Sequence, residues 1–212
     1  MNKVARIIWK ELLPTSPVFS TAEVAERADV ALSNASRDLA ELEKRGIVTR
    51  IRRGLWAVPG HPDFSPYAVV PHLFAEQPGG YVSLLSALNL HGVLEQIPRV
   101  VQVVTTSQRP KLRTPVAAYE FYMIQPALFG GFGPYRRTGN FDAATPEKAL
   151  FDTLYLSARK GRRFTFLPEI ELPADFTPSE VQRWIGLIDH PPLRTAVLER
   201  WERLLDRVGA DA

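Results

Sequence analysis

The chain has 212 residues, 45% of them hydrophobic, enough to bury a real core and a length that suits two domains. Its net charge is only +3, so a case for nucleic acid must rest on local clustering of Lys and Arg rather than on the total. The absence of cysteine excludes disulfides, thiolate zinc sites and cysteine nucleophiles, and no apolar run approaches a membrane span, so a soluble cytoplasmic protein is expected.

Residues 3–13 read as an opening amphipathic helix with Val4, Ile7, Ile8 and Leu12 on one side, ended by Pro14 and Pro17. Val18 and Phe19 then suit a short strand. Ser20 can cap a second helix and Glu23 can reach back to it, a capping box that starts a helix running to about Ala28. After a short turn a third helix opens at Leu32 or Ser33 and stops at Gly46, a left-handed cap residue. Helix, short turn, helix is the helix-turn-helix plan, whose second helix enters the DNA major groove.

On that second helix Leu32, Ala35, Leu39 and Leu42 recur at three and four and form an expected buried stripe. Ser33, Arg37, Ala40 and Lys44 fall on the opposite side, with Asn34 and Ser36 flanking Arg37. Arg can fork onto guanine O6 and N7, and Asn can pair with adenine. A solvated helix face, which Asp38 and Glu41 fit, is the alternative.

A tight hairpin follows. Arg53 and Gly54 make its turn, so Arg52 should pair with Leu55 and Ile51 with Trp56. Alternation sends Thr49, Ile51, Trp56 and Val58 to one face and Arg50 and Arg52 to the other. Four arginines, Arg45, Arg50, Arg52 and Arg53, stand here without an acid, as in the wing of a winged helix touching phosphate. Solubilising an edge strand is the other use for them. The first domain closes near residue 58, and Pro59, Gly60, Pro62 and Pro66 mark residues 59–66 as a linker.

Residues 67–212 read as a second domain of mixed α+β type, giving the chain an α/β content overall. A helix is expected over 67–76, ended by Gln77-Pro78-Gly79-Gly80, and a short one after Ser83 as its cap, with Gly92 as its stop. Strands are expected at 100–106, 118–124 and about 138–141. Thr145, Pro146 and Glu147 open a clear helix that Gly161 ends, and the last forty residues look helical.

Few groups in this half suggest chemistry. His61, His72, His91 and His190 lack metal-ligand spacing, and His91 beside Gly92 suits a helix end. Glu147 is explained by its helix start, and Asp152 is turned about 140° away from it, so with Asp142 they make no paired-carboxylate site. Phe129-Gly130-Gly131-Phe132-Gly133 lacks the lysine of a phosphate loop and reads as a hairpin turn. No catalytic residue, metal or cofactor is expected, and no enzyme. Two basic clusters, Arg99, Arg109, Lys111 and Arg113, and Arg159, Lys160, Arg162 and Arg163, are either solvated faces or an electropositive surface.

The segments SNASRDLAELEKRGIVTRIRRGLWAVPG (33–60), GYVSLLSALNLHGVLEQIP (80–98) and AATPEKALFDTLYL (143–156), in this order, resemble the AbiEi antitoxin family of transcriptional regulators from bacterial abortive-infection toxin–antitoxin systems. The resemblance covers most of the chain to about residue 160. It implies a repressor of its own operon that reads inverted repeats in the promoter. It also implies a C-terminal domain that antagonises a nucleotidyltransferase-like toxin without a stable complex. By position, DNA contacts would fall on Ser33, Asn34, Ser36 and Arg37, with Lys44 on the same outer row, and on the wing residues Arg50, Arg52 and Arg53. Two alternatives stay open: a winged-helix regulator without a toxin, whose second domain senses a ligand or oligomerises, and a nuclease targeted by a winged helix.

Overall fold

The computed structural model describes residues 3–74, 79–137, 139–159 and 169–210. The architecture is mixed α+β with two sheets. The chain falls into two compact units, one of Met1–Gly79, Lys111–Ala118 and Pro134–Phe141, the other of Gly80–Pro110, Tyr119–Gly133 and Asp142–Ala212.

In the first unit, helix α1 (Lys3–Ile7) continues as a π-helical turn over Ile8–Leu12, burying Val4, Ile7, Ile8 and Leu12. Strand β1 (Val18–Ser20) leads into α2 (Thr21–Ala28) through the expected capping box: the Glu23 amide donates to Ser20 Oγ at 3.1 Å and the Ser20 amide to Glu23 Oε2 at 2.6 Å. Asp29 ends α2 in the left-handed region, φ 48°, which its short polar side chain tolerates. Helix α3 (Leu32–Lys44) buries Ala35, Leu39 and Leu42, and Gly46 follows at φ 69°. Leu32 departs from the expected stripe. It is 58% exposed, because the first residue of the helix projects beyond the surface that the next turns cover.

Strands β2 (Thr49–Arg52) and β3 (Leu55–Ala57) complete a sheet of order β1-β3-β2. Arg52 pairs with Leu55 as expected, but Trp56 pairs with Arg50 rather than Ile51. A bulge accounts for the shift: one extra residue on β2 leaves Ile51 without a cross-strand partner and turns it into the core. The expected alternation also fails on β3, where Leu55, Trp56 and Ala57 are all buried, as is Val58 just after it, since a central strand is covered on both faces. The Trp56 indole N–H donates to Thr21 Oγ1 at 2.8 Å, fixing the sheet to the start of α2.

This unit does not end at Val58. Residues Pro66–Leu73 form a 3-10 helix rather than the expected α-helix, since Pro71 inside it lacks an amide to donate. Ala68, Val69, Val70 and Leu73 are buried, and Arg52 Nη2 donates to the His72 carbonyl at 2.7 Å. The proline-rich stretch 59–66 therefore leads into structure that belongs to the first unit, and the expected stop around residues 77–78 lies outside the described residues.

The larger sheet contains β4 (Gly80–Val82), β5 (Val101–Thr105), β6 (Leu112–Arg113), β7 (Ala118–Met123), β8 (Phe132–Tyr135) and β9 (Phe141–Ala144), in the order β6-β7-β5-β4-β9-β8. Its four central strands belong mainly to the second unit. There β4 runs antiparallel to β5 and parallel to β9, and β5 runs parallel to β7 with Val103 opposite Phe121. Every residue of β5 is buried, as its β-branched composition suggests. The third expected strand starts at Phe141, and Thr138 lies outside the described residues.

Helices α4 (Leu84–Leu90), α5 (Pro146–Ala158), α6 (Pro178–Gly186) and α7 (Pro191–Ala210) supply the rest of this unit's core, in which Leu84, Leu88, Leu150, Phe151, Trp184, Ile185 and Trp201 are buried. Thr145 caps α5 by accepting from the Lys148 amide at 3.2 Å, whereas the expected stop at Gly161 lies outside the described residues. No described helix is long and apolar enough to cross a membrane.

Candidate nucleic-acid interface

The capping box fixes the start of α2 and the left-handed Asp29 its end, so α3 leaves the turn with one face on the core and the other in solvent. Ser33, Asn34 and Arg37 are exposed and Ser36 is half-buried. The Arg37 side chain is 76% exposed, with a 3.9 Å approach to Asp38 its nearest acid. Lys44 and Arg45 share Glu41, at 3.7 and 3.4 Å. Exposed pairs of this kind contribute only about 0.2–1 kcal/mol, so a phosphate can replace Glu41 at small cost. The first two turns of α3 thus offer hydroxyl, amide and guanidinium groups, and the last turn carries a partly neutralised charge.

The three hairpin arginines are exposed but differ in their surroundings. The Arg50 guanidinium lies 5.2 Å from the Trp56 ring centre, and its amide donates to Glu43 Oε1 at 3.1 Å, tying β2 to the end of α3. Arg52 is held by the His72 carbonyl. Arg53 stands at the turn beside Gly54, φ 78°, and its side chain has no hydrogen bond or ion pair among the described residues. His72 is pushed below its ordinary value first by burial, opposed by Glu23 and reinforced by Arg52. Such a surface can fork a guanidinium onto a guanine edge from α3 and place cations on phosphates from the hairpin.

The second unit holds a polar cluster that sequence reasoning missed. Lys148 and Asp152 are fully buried and paired through Nζ and Oδ1. Asp152 Oδ2 accepts from Ser83 Oγ at 2.7 Å and from the Tyr81 hydroxyl at 3.1 Å. The rings of Trp184, Phe151 and Tyr81 surround the ammonium at 4.8, 5.0 and 5.5 Å. Burial pushes Asp152 up and Lys148 down, each opposed by the other. The signal was available: a lysine and an aspartate at i and i+4 on a helix whose neighbouring positions are apolar.

Ser83 occupies the cap position of α4, but its hydroxyl goes to Asp152 instead of capping the helix. Glu147, at the start of α5, also accepts from the Thr177 amide at 3.1 Å, and Asp142 is exposed. His91, at the end of α4 before Gly92, places Nε2 2.8 Å from the Ala144 carbonyl. No group of three or more His, Asp or Glu among the described residues could hold a metal ion. Of the basic clusters, Arg159 donates to the Met123 carbonyl at 2.9 Å, while Lys160, Arg162 and Arg163 lie outside the described residues.

No family model matches the chain, and no curated protein matches it. The crystal structure of the RV2827C protein from Mycobacterium tuberculosis is similar, with a TM-score of 0.62 and 18% identity over 97% of this chain and 75% of that one. At this identity the likeness concerns the fold alone, and it agrees with a mixed α+β chain.

Proposed function

We propose that the protein is a DNA-binding transcriptional regulator built on an N-terminal winged helix-turn-helix, with α3 as recognition helix and the β2–β3 hairpin as wing. The observation that carries this reading is a pairing of surfaces on one unit: the exposed row of Ser33, Asn34 and Arg37 on α3, and the exposed Arg50, Arg52 and Arg53 on a hairpin without acid. Ser36 and Lys44 extend the row. Arg37 and Asn34 suit base edges, and the hairpin arginines suit phosphates, which supply affinity and register without sequence information. The resemblance to AbiEi antitoxins supports a repressor of its own toxin–antitoxin operon acting in the cytoplasm on inverted repeats. It likewise supports a second unit that counters a nucleotidyltransferase-like toxin without a stable complex.

Footprinting on the DNA upstream of the protein's own gene tests binding and autoregulation together. Protection of an inverted repeat is expected, and an unprotected upstream region together with no preference among duplexes overturns the regulator reading. Co-expression with the toxin encoded alongside tests the antitoxin half, where rescue of growth without any change in toxin transcription is expected.

A further inference from the structure

The first unit is completed from far along the chain: Pro134–Phe141, the turn between β8 and β9, belongs to it rather than to the second unit. Three rings hold this turn down. Tyr135 stacks on Phe141 at 5.3 Å, and Phe141 meets Tyr67 of the 3-10 helix Pro66–Leu73 at 5.5 Å. Gly139, φ 115°, brings the backbone so close to that helix that a methyl group there would come within 3.0 Å of Ala68 Cβ. The turn displays Arg136 and Arg137, both exposed and with no hydrogen bond or ion pair among the described residues. The acid on the adjoining segment, Asp63, approaches His61 Nδ1 at 3.9 Å instead.

The other end of the same 3-10 helix holds the hairpin, through Arg52 Nη2 on the His72 carbonyl. From Tyr67 to His72 is about 10 Å at a rise of about 2.0 Å per residue, roughly three phosphate spacings along a DNA strand. One short helix therefore anchors two pairs of arginines, Arg52 and Arg53 at one end and Arg136 and Arg137 at the other, at a spacing that separate phosphates of one duplex can match. A turn that only keeps the surface soluble needs no ring stack to fix it, whereas two adjacent guanidinium groups without an internal partner, on a fixed turn, suit a polyanion. Resting on the DNA-binding reading above, we propose that Arg136 and Arg137 form a second phosphate-binding element of the DNA interface, supplied by the second half of the chain and distinct from the hairpin.

The full chain first selects a duplex from a random pool, and binding is then titrated at several salt concentrations. Replacing both residues, Arg136→Ala with Arg137→Ala, should lower the log–log salt slope by about 1.8, at about 0.9 for each lost phosphate contact. It should weaken selected and random duplexes alike and keep the wild-type melting temperature, since both side chains are exposed. Phosphate ethylation interference should vanish at positions other than those lost in Arg53→Ala. Arg136→Lys with Arg137→Lys retains both charges and should keep the slope. If the alanine pair leaves the slope unchanged, the inference falls while the DNA-binding reading stands. If the lysine pair loses the slope too and both pairs melt lower, the residues hold the turn in place rather than bind phosphate, and the inference is again overturned. Preferential loss on the selected duplex would make them base contacts and equally overturn it. If no duplex is selected by the wild-type chain, the DNA-binding reading and this inference fall together.

Discussion

Lys148 and Asp152 sit one turn apart on α5 with both side chains at 0% exposure, the ammonium on one carboxylate oxygen and two hydroxyls on the other. Removing a charge from water costs several kcal/mol, so each ion persists only because its partner and the surrounding groups satisfy it. Ser83, one of those hydroxyls, leads directly into Leu84, buried at φ 57°, a left-handed backbone that leucine adopts only where its surroundings enforce it. The cluster therefore joins β4, the start of α4 and α5 through a single carboxylate.

Breaking the pair from one side should be severe. Lys148→Met leaves a buried carboxylate and Asp152→Leu a buried ammonium, and each should cost about 3–5 kcal/mol. The double replacement should recover part of this, with Ser83 and Tyr81 still short of an acceptor at about 1–3 kcal/mol each. Urea denaturation of the four proteins measures the cycle. Single variants within about 0.5 kcal/mol of wild type, the usual range for surface changes, would show that water reaches the pair.

Alkaline pH should expose the Tyr81 contribution. Burial first, then the charge of Asp152 and the hydrogen bond to it, hold the phenol well above its ordinary value near 10. Between those two values the folded chain keeps a proton that the unfolded chain releases, so stability falls as pH rises above 10. Tyr155, raised by burial, adds in the same direction, whereas the depressed Lys148 opposes it up to 10.5. Tyr81→Phe removes only the Tyr81 part. Its melting temperature should thus fall less steeply than that of wild type above pH 10, despite a lower value at pH 8.

Local chemistry made the first unit largely legible. Ser20 and Glu23, Gly46, and Arg53–Gly54 are signals that act within a few residues, and each stands where the sequence placed it. The misses come from tertiary partners. Strand pairing alone could not show that β3 is central and buried on both faces, or that a bulge exchanges Arg50 for Ile51 opposite Trp56. Pro71 was a legible warning against an α-helix over 67–76. In the second unit Asp152 looked like a solitary carboxylate, because its partners Tyr81 and Ser83 lie 71 and 69 residues away in the chain. Only Lys148 was within reach of a helical pattern.

The hairpin arginines should separate by function. Arg53→Ala removes an exposed charge that no other described residue holds, so it should reduce the log–log salt slope of DNA binding by about 0.9 with no change in melting temperature. Arg52→Ala should alter the slope and also lower the melting temperature, because it leaves the His72 carbonyl without its donor. Arg37→Ala should instead weaken selected duplexes over random ones by about 1–3 kcal/mol. Titrations at several salt concentrations distinguish them, and an unchanged slope for Arg53→Ala would remove the hairpin from the interface.

Gly131 and Gly133 provide a paired test of the aromatic enclosure around Lys148. Gly131 has φ 69°, and a methyl group there would come within 2.8 Å of the Trp184 ring and 2.9 Å of Lys148 Cγ. Gly133 has open space around the same position. The sequence reading of a simple turn treats the two glycines alike, whereas packing separates them. Gly131→Ala should cost about 1–3 kcal/mol from overpacking, with further loss from the strained backbone, and it should quench or shift the fluorescence of Trp184. Gly133→Ala should stay within about 0.5 kcal/mol of wild type. Equal stability of the two variants by urea denaturation would mean that Trp184 and Lys148 yield freely, and the enclosure would then contribute little to holding the buried pair.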